Sequence, residues 1–507
     1  MSVERRGRRT SAAHNPIQQL PWAQPRLTLE PSRILSDDQI ETLHRQSLKV
    51  LQEIGMDVLY PEAREIFARA GAKVDGERVR LGADIVEHAL TTPPPEFTFH
   101  ARNPAHHIRI GGKWIVFAPV GGPPNCSDLD RGRRPGTLED NGNFVKLCQF
   151  FNCIHTAGGG SVDAIDIHAS IRHLRIMRNK VLLSDKVPFV ISTGRARLFD
   201  SMEIARMARG ISREQFLREP SSYTVINTNS PLKLDWPMAM GIIETARHNQ
   251  ICVVTPFTLA GAMAPVTLAG ALVEQNAEAL FGLSLSQLAN PGAPFVYGAF
   301  TSNVDMKSGA PAFGTPEYMK ATIAAGQLAR RYKLPYRTSS TNAANSVDAQ
   351  AAYESVFSLW AAIMGGGNVI QHAAGWLEGG LVASYEKFAL DVDLLQMIEE
   401  FLKPIIVDDD TMAMDAMLEV GPGGHFFGAR HTLERYSTAF YQPLISDWRN
   451  FQSWQAAGSP QAAQKANALW KQALAEYAPP SLDAAIVEEI DAFIARRIEE
   501  GGEPTDF

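Results

Sequence analysis

Five polar residues, Asp348, Gln350, His372, Glu378 and Glu386, fall where apolar runs give way to helical patterns. They lie within Leu334–Ile398, where two strand–loop–helix units run back to back. The strands are LPYRTSS and NVIQHAA; the helices are AQAAYESVFSLWAA and SYEKFALDVDLLQMI. In a βα barrel, chemistry sits where strands hand over to helices. Carboxylates placed there offer acid–base work, but early in a helix they commonly serve as caps or surface charges. His372 ends a strand and is better placed to meet a ligand, although a core-satisfied histidine looks the same in sequence. Other strand ends supply Asn125, Thr156, Thr193, Asn227, Asn229, Thr255, Phe257, Phe300 and Thr341. This set is polar, mostly uncharged and interleaved with aromatics. No acid–base couple dominates, so the set suits holding a ligand more than moving a proton.

The elements that must position these residues repeat regularly. Eight apolar runs, starting at Trp114, Cys153, Val187, Tyr223, Ile251, Ala293, Leu334 and Asn368, are each followed by a helical pattern. Eight parallel strands with crossover helices close most simply into an α/β (βα)8 barrel, here residues 114–402. A doubly wound open sheet is the alternative, because counting strands does not prove closure. Residues 1–28 are polar and Pro-containing and are expected to form a mobile arm. Residues 29–113 read as an α+β cap. Its first helix has Ser36 as N-cap, Asp37 and Asp38 in the first turn, and Gly55 as stop. Residues 403–507 read as a C-terminal extension of polar turns and aromatics that ends in two amphipathic helices.

The totals exclude several classes. The chain has 507 residues, 45% hydrophobic and 20% charged, with a net charge of −7. That balance does not favour nucleic acid as a partner. No apolar run approaches the ~18–20 residues of a membrane helix. The N-terminal arginines precede no apolar stretch, so a cytoplasmic location is expected. Four cysteines make no disulfide framework in a chain this long. Cys148, Cys153 and His155 have metal-like spacing, but they span a helix end and a strand start, and no metal site is expected. Asp166-Ile167-His168 begins a D-x-H-x-x-G pattern, by which many corrinoid-binding domains ligate cobalt, but its glycine is missing. The chain is therefore expected to carry no cobalamin of its own.

Several long, ordered segments resemble the trimethylamine methyltransferase family, in its members that lack pyrrolysine. They include DRGRRPGTLED (Asp130–Asp140), INTNSPLKLD (from Ile226), APVTLAGALVEQNAEAL (from Ala264), VDAQAAYES (from Val347), GWLEGGLVASYEK (from Gly375) and GPGGHFFGARHTLERY (Gly421–Tyr436). The resemblance implies a TIM barrel that demethylates a methylated amine. The methyl would pass to the Co(I) corrinoid of a separate cognate protein, so no tightly bound cofactor is expected. Family members that use trimethylamine carry pyrrolysine just before the D-x-Q segment. The matching stretch here is Ala344–Ser346, with Asn345 at the position itself. This implies a quaternary amine donor such as glycine betaine. Asn345, His372 and Glu378 are then the catalytic candidates.

A quaternary nitrogen has no N–H and is held by aromatic faces and carboxylates. The substrate-binding candidates are accordingly Phe117, Asn229, Phe257, Tyr297, Phe300, Asp348, Gln350, Trp376, Tyr385 and Glu386. A tertiary amine or sulfonium donor, or a catalytically silent methylamine-binding barrel, are the alternatives. A homo-oligomer is the expected assembly.

Overall fold

Short apolar runs bounded by turn residues become parallel strands, and their hydrogen bonds close a ring. The structure, a computed structural model, describes residues 16–158 and 161–504. The first barrel strand is Val116–Phe117 and the fourth Tyr223–Ile226; Ile251–Val254, Phe295–Gly298, Tyr336–Ser339 and Val369–Gln371 are the fifth to eighth. The second and third, near residues 155–157 and 187–190, join the ring through the parallel bridges Thr156–Val187 and Phe189–Tyr223. His155 N donates to Phe117 O at 2.9 Å, linking first strand to second. Val369 pairs with Val116 and Ile370 with Phe117, linking eighth to first. The barrel is closed, and the open sheet is excluded.

The helices after successive strands are Leu138–Phe150, Ala169–Leu183, Arg195–Ala208, Trp236–Arg247, Leu268–Ala289, Pro316–Arg331, Ala349–Met364 and Tyr385–Phe401. Thr137, Asp235, Thr315, Asp348 and Ser384 each cap one of them by accepting a first-turn N–H. Each such cap is worth ~1 kcal/mol.

Strand side chains alternate between lumen and helices with a period of two. Val116, Val187, Tyr223, Ile251, Val253, Val296 and Val369 fill the lower lumen as one apolar cluster. A hairpin of Glu96–Phe99 and Ile108–Gly111 drives Phe99, Ile108 and Ile110 into that cluster and closes the N-terminal end. Burying each of these side chains stabilises the plug by ~1.5–3 kcal/mol.

The helix Asp37–Glu53 starts with a full capping box, in which Ser36 and Gln39 bond reciprocally. It stops at Gly55, where φ is +76° and an added Cβ would lie 2.3 Å from Val79 O. The small sheet beside it (Met56–Val58, Lys73–Asp75, Arg78–Arg80) recruits Lys233–Leu234 from the loop after the fourth strand. Phe67 packs on Phe281 of the fifth helix, with ring centroids 4.6 Å apart.

Residues 16–28 do not form the expected mobile arm. Leu20 N donates to Gln396 Oε1 at 2.9 Å, Leu27 is buried, and Trp22 packs edge-on against His155. These scattered apolar anchors are too sparse to show in composition. The first fifteen residues of that expectation lie outside the described residues.

Beyond the eighth helix, residues 405–451 form short helices and turns that leave Ile405, Val407, Phe427, Tyr436 and Phe440 exposed. The helix Ala462–Glu476 then lies across the eighth barrel helix, with Trp470 4.6 Å from Tyr385. Ala484–Glu499 buries Ile490 and Ile494 against the second and third helices. Among the described residues, no helix is long and apolar enough to cross a membrane.

Two small sheets fence the opposite, C-terminal mouth. One joins Phe257–Ala260, Phe300–Val304 and Pro311–Ala312; the other joins Asn125–Asp128, Gly132–Pro135, Trp376–Leu377 and Val382–Ser384.

Candidate active site

Above its apolar layer the lumen turns polar. Arg337 of the seventh strand and Gln371 of the eighth continue the inward positions upward, and Asn227 follows the fourth strand. With Phe189, Thr193, Phe300, His372 and Trp376 they line a cavity of about 520 Å³. That volume suits a small molecule.

Arg337 forms the floor and is only 2% exposed. Its Cζ lies 5.5 Å from the Phe300 ring centroid. Its Nε and Nη1 have no hydrogen-bond partner among the described residues. The groups acting on its charge are the tyrosines Tyr318, Tyr223 and Tyr336, with no carboxylate among them. Burial pushes its pKa down to about 10, so it remains a cation at neutral pH.

His372 ends the eighth strand with φ of +59°. A non-glycine residue there is strained, and such strain collects at functional sites. The turn lays its ring 4.1 Å from Trp376 and 6.0 Å from Phe300. Burial, and then Arg337, hold its pKa well below the usual histidine value, so the imidazole is neutral. Its Nδ1 is buried without a partner among the described residues.

Phe300 is the hub of the aromatic wall, 4.9 Å from Phe257, 5.5 Å from Phe313 and 6.3 Å from Trp376. Trp376 is held from behind, since its Nε1 donates to Asn342 O at 3.1 Å. Gly380 passes so close over the ring that a Cβ would fall 2.6 Å from it. The seventh loop is held in turn by Glu354, whose Oε2 accepts Ala343 N and Ala344 N at 2.9 Å each. Glu378 donates its N to Ala344 O at 2.9 Å and accepts Arg133 Nε at 2.9 Å. It therefore braces the loops, outside the cavity lining.

Of the candidates from sequence, the structure brings Phe300, His372 and Trp376 onto the cavity wall, with Phe257 packed against Phe300. The others lie elsewhere. Phe117 and Tyr297 alternate with the inward Val116 and Val296 and so point outward. Phe117 packs on His155, 5.8 Å away, and Tyr297 donates to Asn276 Oδ1 at 2.8 Å. Asn345 is exposed on the seventh loop and does not line the cavity. Asp348 caps the seventh helix, and Gln350 donates to Glu354 Oε1 at 2.8 Å. Tyr385 donates to Asp140 Oδ1 at 3.0 Å, and Glu386 accepts Trp470 Nε1 at 2.9 Å. Asn229 bonds Asp235 at 3.1 Å in the turn after the fourth strand. First-turn positions were consumed by capping and by contacts between helices.

Sequence reasoning missed Arg337 and Gln371. The available signal was a full charge inside YRTS, a run otherwise fit for burial. Asp163, also on the cavity wall, is paired with Arg172 at 2.7 Å. Among the described residues, no group of three or more His, Cys, Asp or Glu is placed to hold a metal ion. Burial pushes the Cys148 thiol up to about 12, and His155 Nδ1 accepts Phe117 N at 3.0 Å. His168 caps the second helix, with Nδ1 2.8 Å from Ser170 Oγ.

A closed barrel whose mouth holds aromatics, a neutral imidazole and a buried cation around a cavity of small-molecule size defines a class: a (βα)8 protein with its site at the carboxyl ends of the strands. The sequence profile of the trimethylamine methyltransferase (MTTB) family matches residues 2–502. The chain belongs to this family and is a methyltransferase. It is 40% identical over 471 residues to the glycine betaine methyltransferase of Desulfitobacterium hafniense strain Y51, covering 93% of this chain and 98% of that protein. It is 28% identical over 480 residues to the trimethylamine methyltransferase MttB of Desulfitobacterium hafniense strain DSM 10664 / DCB-2, covering 92% and 94%. The fold is similar to the monomethylamine methyltransferase MtmB of Methanosarcina barkeri, with a TM-score of 0.52 at 10% identity over 88% of each chain.

Proposed function

We propose that this enzyme takes a methyl group from a quaternary amine, glycine betaine, and passes it to the Co(I) corrinoid of a separate partner protein. The observation that carries the reading is the wall of Phe300 and Trp376 beside an imidazole that stays neutral. Aromatic faces attract a tetraalkylammonium ion that offers no N–H. The relative at 40% identity, named for glycine betaine, supports the same donor.

The chemistry matches the lack of an acid–base couple on the wall. Co(I) supplies the electron pair of the new Co–C bond. The C–N pair stays on nitrogen, which leaves as the neutral tertiary amine dimethylglycine. No proton moves. The enzyme's task is to aim one methyl outward and exclude water.

A Co(I) acceptor needs a reducing compartment, and all four cysteines are free thiols, in keeping with a cytoplasmic enzyme. The exposed apolar residues of 405–451 support a homo-oligomer that covers them. Sedimentation of the purified protein tests the assembly. For the reaction, the protein is mixed with glycine betaine and a matched Co(I) corrinoid protein. Methyl-cobalt and dimethylglycine should form together, and only when all three components are present. Binding of glycine betaine without any methyl-cobalt would instead make the chain a silent binder.

A further inference from the structure

We infer that Arg337 grips a carboxylate on the methyl donor, so that the site takes zwitterionic quaternary amines and rejects purely cationic ones. This rests on the quaternary-amine reading above and adds the residue that selects among such donors.

The cavity poses an electrostatic puzzle. Its aromatic wall suits a cation, yet its floor is already a cation, 2% exposed and without a carboxylate partner. A tetraalkylammonium ion alone would sit beside a like charge in a place where water screens poorly. A buried guanidinium with Nε and Nη1 both unpartnered is also costly to keep. One ligand type resolves both problems: a molecule with a carboxylate at one end and a quaternary nitrogen a few bonds away. The carboxylate would take N–H groups on the guanidinium edge that faces the cavity, in the two-pronged manner that guanidinium favours.

The heights of the residues fix the ligand's direction. Arg337 is inside the seventh strand, two residues below its end at Ser339. Phe300 lies beyond the end of the sixth strand, and Trp376 beyond the end of the eighth. The carboxylate therefore lies deep and the ammonium lies toward the mouth. The methyls face the opening, where an acceptor on another protein must arrive. Neutral His372, between Arg337 and Trp376, adds no third charge.

The test is titration calorimetry of glycine betaine and of choline on the full-length protein, its Arg337→Met variant and its Arg337→Lys variant. The parent should bind glycine betaine at least about tenfold more tightly than choline. Arg337→Met should weaken glycine betaine about 10- to 100-fold, the effect of losing charge-assisted hydrogen bonds. The same change should strengthen choline about threefold or more, because a like charge is gone. Arg337→Lys should fall between parent and Arg337→Met for glycine betaine, since an ammonium lacks the fork. A residue needed only for folding would weaken both ligands together, and that outcome overturns the inference. If Arg337→Met does not fold, the parent's preference and Arg337→Lys decide. A parent that binds choline as well as glycine betaine overturns the Arg337 role and leaves the quaternary-amine reading standing. A parent that binds neither overturns that reading and the inference with it.

Discussion

Two cations are buried beside the eighth strand, one on the helix side above its end and one in the lumen level with its start. Lys387 contacts Asp391 Oδ1 and Oδ2 at 2.5 and 2.7 Å and Ser355 Oγ at 2.6 Å. Asp391 also accepts Gly375 N at 2.9 Å, tying the charge pair to the loop that carries Trp376. Arg337, equally buried, has no such partner among the described residues. The fold neutralises the first charge itself and sets no carboxylate of the described residues against the second. A buried charge costs several kcal/mol unless it is paired. Matched polar groups around this mouth therefore report architecture. Tyr385, Glu386 and Asp348 fall on the matched side, bonded to Asp140, Trp470 and their own helix start.

The contrast can be broken by experiment. Asp391→Ala strands Lys387 in the interior and should cost ~3–5 kcal/mol in urea unfolding. A loss below ~1 kcal/mol would mean that the helix-side pair is no more structural than the lumen cation. Trp376→Leu should weaken glycine betaine about 2- to 30-fold by calorimetry while a neutral carbon isostere loses little. Equal losses for both ligands would reduce the ring to packing. Arg337→Met should leave stability within ~1 kcal/mol of the parent, or raise it, because no native bond is removed. Severe destabilisation there would erase the distinction between the two cations.

The smallest expected effect is on pH. His372 is held well below its usual pKa and Arg337 is pushed down to about 10, so neither changes charge in the neutral range. Donor affinity should be flat from about pH 6 to about pH 8.5. Acid would weaken binding only once His372 gains a proton, below that window, and alkali only once Arg337 loses one, above it. A midpoint near ~6.5, the unperturbed histidine value, would mean that His372 titrates freely.

The fold was largely legible in sequence because a barrel repeats its signal eight times. Six of the eight runs form strands, and the second and third join the ring through isolated bridges. The site was less legible, for two physical reasons. Helix starts and strand ends look alike in sequence, so Asp348 and Glu386 stood beside His372 although their bonds are consumed locally. Strand parity was also left unused. Val296, Gly298 and Phe300 share one side, so Tyr297 had to face the helices. The same rule puts Arg337 inside, in line with Ser339, where an unpaired charge is the most informative feature of the strand. The anchoring of residues 16–28 was illegible for another reason: it depends on partners such as Gln396, far along the chain.

The hairpin plug at the barrel's lower end has a consequence for traffic. With Phe99, Ile108 and Ile110 sealing that end, the described residues leave the lumen a blind well that opens at the C-terminal mouth. Donor and acceptor must share it. In the proposed reaction the amine would enter before a corrinoid protein covered the opening, and the demethylated product would leave only after that protein departed. For that reaction the plug would set a compulsory order of arrival, with excess corrinoid protein competing with the amine for the doorway and slowing turnover.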